Sequence, residues 1–329
     1  MTRSTRYFFA GSAAVLVAGL CTGLVAYYGG GFQALSASTG PIELRYVPPD
    51  AAVIAYADVG AIMNSELRLR LKEAMPMQEK GQEEFQAETG IDIERDIQYV
   101  VAAVTPGTHS ALLVARGSFN PTVLENLAVE HGGVVETYRE KRLVSKANDS
   151  TDGTDGPRGG TLAFLEPGLV AIGDTETIKR AIDAQLTAQS IIGNDEMMTF
   201  VKDIEAGNNA WAVGRFDVLT AHAKLPEQIA RQIPPVKWFA AAGHINGGVS
   251  GMVRVEANDD EAAELFRRQV NGALAFGEMV GRSDPRASAV LKTVQMSGSG
   301  KTVQLSFTVP GELLQMVLPK SPAVAIEPH

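Results

Sequence analysis

The sequence predicts an α+β protein: an N-terminal transmembrane helix, then two related split β-α-β (ferredoxin-like) subdomains with antiparallel sheets and helices on one face. Three observations predict it. No residue from Tyr7 to Ile42 is charged, and Tyr7–Tyr28 is an apolar run of 22 residues. Beyond it, short apolar runs joined by turn residues alternate with capped, helix-forming stretches. The order of these elements then returns in the second half of the chain at similar spacing.

A helix over Tyr7–Tyr28 rises ~1.5 Å per residue and spans ~33 Å, against a hydrocarbon core of ~30 Å. Tyr7, Phe8 and Phe9 at one end and Tyr27 and Tyr28 at the other suit the two interfaces. Arg3 and Arg6 precede the run, so the positive-inside rule keeps residues 1–6 cytoplasmic and carries the rest across. The expectation is a single-pass protein of a bacterial inner membrane with a periplasmic body, in contact with lipid through residues 7–28. A cleaved secretory signal is the alternative, but its apolar core runs to only ~7–15 residues. The small residues Ala34, Ser36, Ala37 and Ser38 leave cleavage near Ser38 open. The single cysteine, Cys21, follows Leu20 deep inside the run and reads as a small apolar side chain rather than a lipidation site. Gly11, Gly19 and Gly23 fall on one helix face, and Gly19–Gly23 has the spacing that lets membrane helices pair closely.

Composition bounds the remainder. Hydrophobic residues are 45% and charged residues 20%, as in a globular chain. Net charge is −9, and without Arg3 and Arg6 the rest carries 27 basic against 38 acidic residues. That balance argues against nucleic acid or anionic lipid headgroups as partners, since both call for basic patches. With no cysteine after Cys21, the body has neither a disulfide nor a thiolate ligand or nucleophile.

Taken in order, residues 29–47 are Gly/Ser-rich and read as a flexible tether leading to Pro48-Pro49-Asp50. The apolar run 52–57 reads as a strand, and Asp58 as the N-cap of a helix to about Ala74, before Pro76. Met77–Glu88 reads as a charged helix ending at Gly90, and Asp92–Asp96 as a polar turn or short helix. Ile97–Val104 and Ala111–Ala115 flank a turn as a hairpin, and Asn120-Pro121 opens a helix that stops at Gly132-Gly133. Two more hairpins follow, Val134–Tyr138 with Arg142–Lys146 and Thr161–Leu165 with Leu169–Ile172, with a polar surface loop at Asn148–Gly160. Asp174 and Asn194 cap helices to about Leu186 and Ala206. A strand at Ala210–Gly214, a helix at Asp217–Ile233 broken at Pro226, and strands at Val236–Ala242 and Val249–Val255 come next. Asn258 and Glu261 form a capping box for a long helix to about Val280. Strands at Leu291–Met296 and Thr302–Val309, a short helix at Glu312–Leu318 and a loose tail complete the chain. The domain reading is therefore 48–190 for the first subdomain, 191–318 for the second and 319–329 for a disordered tail.

Two passages, one in each half, look alike. Ile97-Gln98-Tyr99-Val100 sets against Val236-Lys237-Trp238-Phe239, and Leu113-Val114 against Met252-Val253, both at an offset of 139. The first strands, at Val53 and Ala210, are offset by 157, and the extra charged helix before Gly90 absorbs the difference. Pro48-Pro49-Asp50-Ala51 leading into a strand, Thr89-Gly90-Ile91-Asp92 leading into a hairpin, and the apolar N-terminal run resemble uncharacterised, membrane-anchored exported bacterial proteins built on a duplicated domain of unknown function. The resemblance implies a periplasmic, membrane-tethered protein; it implies no activity and supplies no catalytic residue.

Motifs that approach chemistry fall short of it. Ser297-Gly298-Ser299-Gly300-Lys301-Thr302 has the end of a phosphate-binding loop, but Gln295 stands where its first glycine belongs, and a strand follows instead of a helix. Asn148–Gly153 starts like a calcium loop, yet Gly159 takes the place of the twelfth-position carboxylate; calcium binding by this loop stays open. Ser250 lies in a strand rather than on a nucleophile elbow. His109, His131, His222, His244 and His329 show no metal-binding spacing, although His109 and His244 both fall near hairpin turns. No catalytic, cofactor-binding or metal residue is assigned, and no cofactor. The expected function is non-enzymatic binding or assembly at the cell envelope, with an unidentified protein or ligand, a second copy of the chain being one such partner. An envelope hydrolase with a site assembled from distant residues, and an accessory subunit of a membrane complex pairing through Gly11, Gly19 and Gly23, are the alternatives.

Overall fold

Val53–Ala57 forms β1, and its side chains are buried on both sides of the backbone except for half-buried Tyr56. A strand apolar on both faces belongs inside a sheet whose two faces are both covered. The computed structural model, which describes residues 40–69, 86–87, 89–106, 111–146, 160–218, 235–281 and 285–313, places it there. β1 pairs antiparallel with β2 (Ile97–Val104) on one side and with β8 (Ala210–Arg215) on the other. From β2 the sheet continues through β3 (Leu112–Gly117), β7 (Leu169–Gly173), β6 (Thr161–Glu166) and β5 (Lys141–Ser145) to β4 (Val134–Tyr138). From β8 it continues through β9 (Val236–Ile245), β10 (Gly248–Ala257) and β12 (Thr302–Pro310) to β11 (Gln295–Ser297). The 12 strands of the described residues form one antiparallel sheet in the order β11-β12-β10-β9-β8-β1-β2-β3-β7-β6-β5-β4.

This corrects the fold class. Two separate ferredoxin-like sheets with helices on one face do not occur. The edges that would have bounded them, β1 and β8, pair over Val53↔Gly214 to Ala57↔Ala210 and merge them. Two unpaired edges thereby vanish. Helices lie on both faces, because strand residues of both parities are apolar. On one face, Ile54, Val101, Val114, Leu143, Ala171, Val213 and Ala240 pack against α4 (Thr175–Leu186), α5 (Asp195–Glu205) and the 3-10 turn Ile42–Tyr46. On the other, Val53, Ala55, Ala57, Ala102, Ala212, Phe239 and Val255 pack with Ile62 of α1 (Val59–Met63) and with Ala262 and Ala263 of α6 (Asp260–Gly281). α2 (Ile93–Asp96) leads into β2, α3 (Pro121–Glu130) lies against β4 and β5, and α7 (Pro285–Leu291) packs on α6.

Membrane placement is corrected as well. Among the described residues no helix is long and apolar enough to cross a membrane. The single-pass inner-membrane protein with a periplasmic body is withdrawn on that finding. Residues 7–28, with Gly11, Gly19 and Gly23, lie outside the described residues, as do the tail 319–329 and most of the loop 148–160.

Local signals set most helix starts. Asp58 accepts from Ala61 N–H at 2.7 Å, Asn120 from Thr122 and Val123, Asp174 from Thr177, and Asn194 from Met197. The expected capping box at Asn258 is displaced by one residue: Asp259 accepts from Ala262 N–H at 2.8 Å. The helix expected from Asp58 to Ala74 stops at Met63, where Asn64 N–H bonds Gly60 and the Asn64 side-chain amide takes the same carbonyl. Within the stretch read as a tether, Ile42–Tyr46 winds into a 3-10 turn with Leu44 and Tyr46 fully buried. The strand expected at Leu291–Met296 is helical up to Leu291 and extended only at Gln295–Ser297.

Gly214 sits at the join. A Cβ there would stand 2.6 Å from the Ala52 carbonyl oxygen and 2.7 Å from Val53 Cα. Backbone cannot yield as a flexible side chain does, so Gly214→Ala is expected to cost about 1–3 kcal/mol. Urea unfolding of the two proteins measures it.

Candidate functional site

Three places gather unusual chemistry. The first is an ionic clasp beneath the turn Ile42–Tyr46. Tyr99 of β2 and Arg116 of β3 are register partners, and Leu169 and then Glu166 continue the row across β7 and β6. Glu43 descends from the turn onto this row and is 1% exposed. Its Oε1 accepts from Arg116 Nε at 2.8 Å and from the Tyr99 hydroxyl at 3.3 Å. Glu166 Oε1 accepts from Arg45 Nη2 at 2.5 Å and from the Tyr46 hydroxyl at 2.8 Å, while Arg116 stands 3.6 Å from its Oε2. Tyr56 extends the cluster, 6.1 Å from Tyr99 and stacked 5.7 Å from Trp211 between ring centres.

The electrostatics follow from burial. Burial pushes up the Tyr46 phenol, and the hydrogen bond to Glu166 adds to it. Burial likewise raises Tyr56, helped by the charge of Asp58, and raises Tyr99, helped by Glu43. Burial opposes the charge on Arg116, but Glu43 outweighs it and holds the guanidinium's pKa above the usual range. The phenols stay protonated and each carboxylate is matched to a guanidinium. Such a cluster fastens the turn to the sheet.

The second place is a cleft of about 430 Å³ between the start of α3 and the sheet, lined by Pro121, Thr122, Glu125, Glu140, Arg142 and Phe164. Arg142 pairs with Glu125 at 2.5 Å across it. Asn120 already occupies two backbone donors at this helix start, so the cleft is no anion cradle.

The third place is α6. Ala262 and Ala263 face the sheet, and Gly277 lies against Leu291 of α7. A second apolar stripe runs Leu265, Gly272, Phe276, Met279, at helical spacings of seven, four and three residues. Leu265, Phe276 and Met279 are 41%, 62% and 58% exposed, and nothing lies within 4 Å of where a Cβ on Gly272 would stand. A helix apolar on two sides has one side more than its own fold covers.

Of the residues weighed in the sequence, Ser250 of β10 and His244 of β9 come together as register partners, but the Ser250 hydroxyl faces the His244 backbone carbonyl at 3.5 Å, while His131 ends α3 with Nδ1 2.8 Å from the Leu127 carbonyl. His109, His222 and His329 lie outside the described residues. Ser297–Thr302 forms the turn between β11 and β12, with Gly298 and Gly300 at positive φ. Among the described residues no group of three His, Cys, Asp or Glu side chains is placed to hold a metal ion. Sequence reasoning missed the clasp and the outer stripe of α6. The Leu265–Gly272–Phe276–Met279 spacing was the available signal for the stripe; Glu43, Arg45 and Tyr46 gave none, because their partners lie far along the chain.

No family model matches the chain and no curated protein matches it, so the family resemblance rests on its sequence punctuation alone. Similar solved structures are three crystal forms of the Treponema protein TP0453. Form III has a TM-score of 0.47 at 12% identity, covering 85% of this chain and 98% of that one. Form I has a TM-score of 0.42 at 12% identity over 86% and 98%, and form IV 0.41 at 11% identity over 85% and 97%.

Two variants probe these groups. Arg116→Met strips the buried Glu43 charge of its main partner and is expected to cost about 3–5 kcal/mol, most of it recovered by adding Glu43→Leu; urea midpoints of the single and double variants report this. Burial raises the Asp58 carboxyl above 3.8, against the lowering effect of the Ala61 amide. The folded chain therefore holds this proton more tightly than the unfolded chain, and the Asp58 contribution weakens as pH rises through the window above 3.8. Asp58→Asn keeps the cap acceptor without the buried charge. Its stability relative to wild type is expected to be higher at about pH 7 than at about pH 3 in paired urea titrations.

Proposed function

We propose that this chain is a non-enzymatic binding or assembly protein, built from a duplicated unit and engaging a protein partner through the outer stripe of α6. The observation that carries it is the second apolar stripe on a 22-residue helix whose other side already packs on the sheet and on α7. Phe276 and Met279 at this exposure are what an apolar groove in a partner would take up.

Register supports the duplication. Val53 pairs with Val104; moved by 157 and 139, these positions become Ala210 and Gly243, which are register partners in the second half. The β2–β3 pairing carries over with a slip of one residue, since Val100↔Ala115 corresponds to Phe239↔Val255 rather than Phe239↔Arg254. Ala55 and Ala212, 157 apart, are each other's partners, so a local two-fold axis passes between them.

A photo-crosslinking residue at Phe276 in the full chain, expressed in its native cell, is expected to give one discrete protein adduct, with little at Asn271 on the far side of the helix. Equal labelling at both positions, or adducts at neither, removes the outer stripe of α6 as the docking surface.

A further inference from the structure

We infer that the free edge of the sheet at β4 is a self-association surface, and that its occupant is β4 of a second copy, antiparallel, with Val135 on the two-fold axis. β4 is the terminal strand of the described sheet and pairs on one side only, with β5. A terminal strand is a template for pairing unless something blunts it. The other end is blunted: β11 is only three residues long, and β12 finishes at Pro310. β4 has none of these devices. It runs five residues without proline, and its pairing with β5 shows no register shift. The Arg139–Glu140 turn that joins β4 to β5 has positive φ at both residues, the form that matches strand twist and keeps a hairpin regular.

The edge is also apolar. Val134 is 69% and Val135 38% exposed, and Val129, near the end of α3, is 44% exposed. Alternation sends Val134 and Val135 to opposite faces, so a strand added here would bury apolar surface on both. Charge selects a second copy over a charged peptide. Glu136, the one acid in the strand, lies 3.2 Å from Lys179 of α4 in its own chain, and the Tyr138 hydroxyl donates to Asp183 of the same helix at 2.7 Å. The edge thus offers a foreign strand little beyond valine and backbone. Antiparallel pairing of identical strands is self-complementary, each making the same contacts as the other. The chain already joins its own halves this way, over five antiparallel residue pairs between β1 and β8.

Like charges set the register. Centring on Glu136 would place two carboxylates directly opposite, which is unfavourable. Centring on Val135 sets Val135 against itself and Glu136 against Val134. The contact is small for a protein interface, so a reversible, concentration-dependent dimer is expected.

Cysteine trapping in the full chain tests this, in a Cys21→Ala background that leaves no other cysteine. Val135→Cys places two thiols across the axis, whereas Thr137→Cys copies would stand ~13 Å apart. Mild oxidation is expected to give about tenfold more disulfide dimer from position 135 than from position 137. Sedimentation equilibrium of the parent chain should show mass rising above 34.9 kDa with concentration, while Val135→Lys stays at 34.9 kDa with unchanged circular dichroism. Phe276→Asp should leave the dimer intact, which separates this edge from the α6 surface. A parent chain that stays at the single-chain mass, or equal trapping at 135 and 137, overturns the proposal.

Discussion

The antiparallel pairing of β1 with β8 is the constraint on which the rest of the molecule depends. Five residue pairs join two half-sheets that, among the described residues, pair along no other strands. Small side chains make the join work: Ala55, Ala57, Ala210 and Ala212 face one side, and Gly214 admits the backbone near Val53. On the other side Ile54, Tyr56, Trp211 and Val213 fill the space beneath the helices. Opposite parities are thus served by opposite sizes, which lets one strand pair support two cores.

Those two cores are built differently. The face carrying α4, α5 and the turn Ile42–Tyr46 is closed by large apolar side chains, with the Glu43–Arg116–Glu166 clasp at its margin. Charges so buried are weak evidence of stabilisation in themselves, but they leave a single position for the turn, because each carboxylate meets its guanidinium there alone. The opposite face is covered by α1, α3 and α6, and α6 carries more apolar surface than the sheet and α7 can hide. The proposed binding role rests on that uncovered stripe.

Local code made much of this fold legible in the amino-acid sequence. The alternations at β6 and β7, the Asn120-Pro121 start of α3 and the caps at Asp174 and Asn194 all lie within a few residues of what they specify. Where local signals competed, they misled: Asp259 took the cap assigned to Asn258, and Leu291 stayed helical. The site was legible only in part, since the stripe on α6 is a periodicity, while the clasp joins Glu43 to Arg116, 73 positions away.

By itself the sequence determined which segments extend, which coil and in what order, because propensity, capping and turn chemistry act over short spans. Only the tertiary structure decided that the two halves share one sheet, that helices cover both faces, and that one stripe of α6 stays open. Edge-to-edge pairing is made by backbone groups that every residue carries, so no side-chain pattern announces which edges will meet.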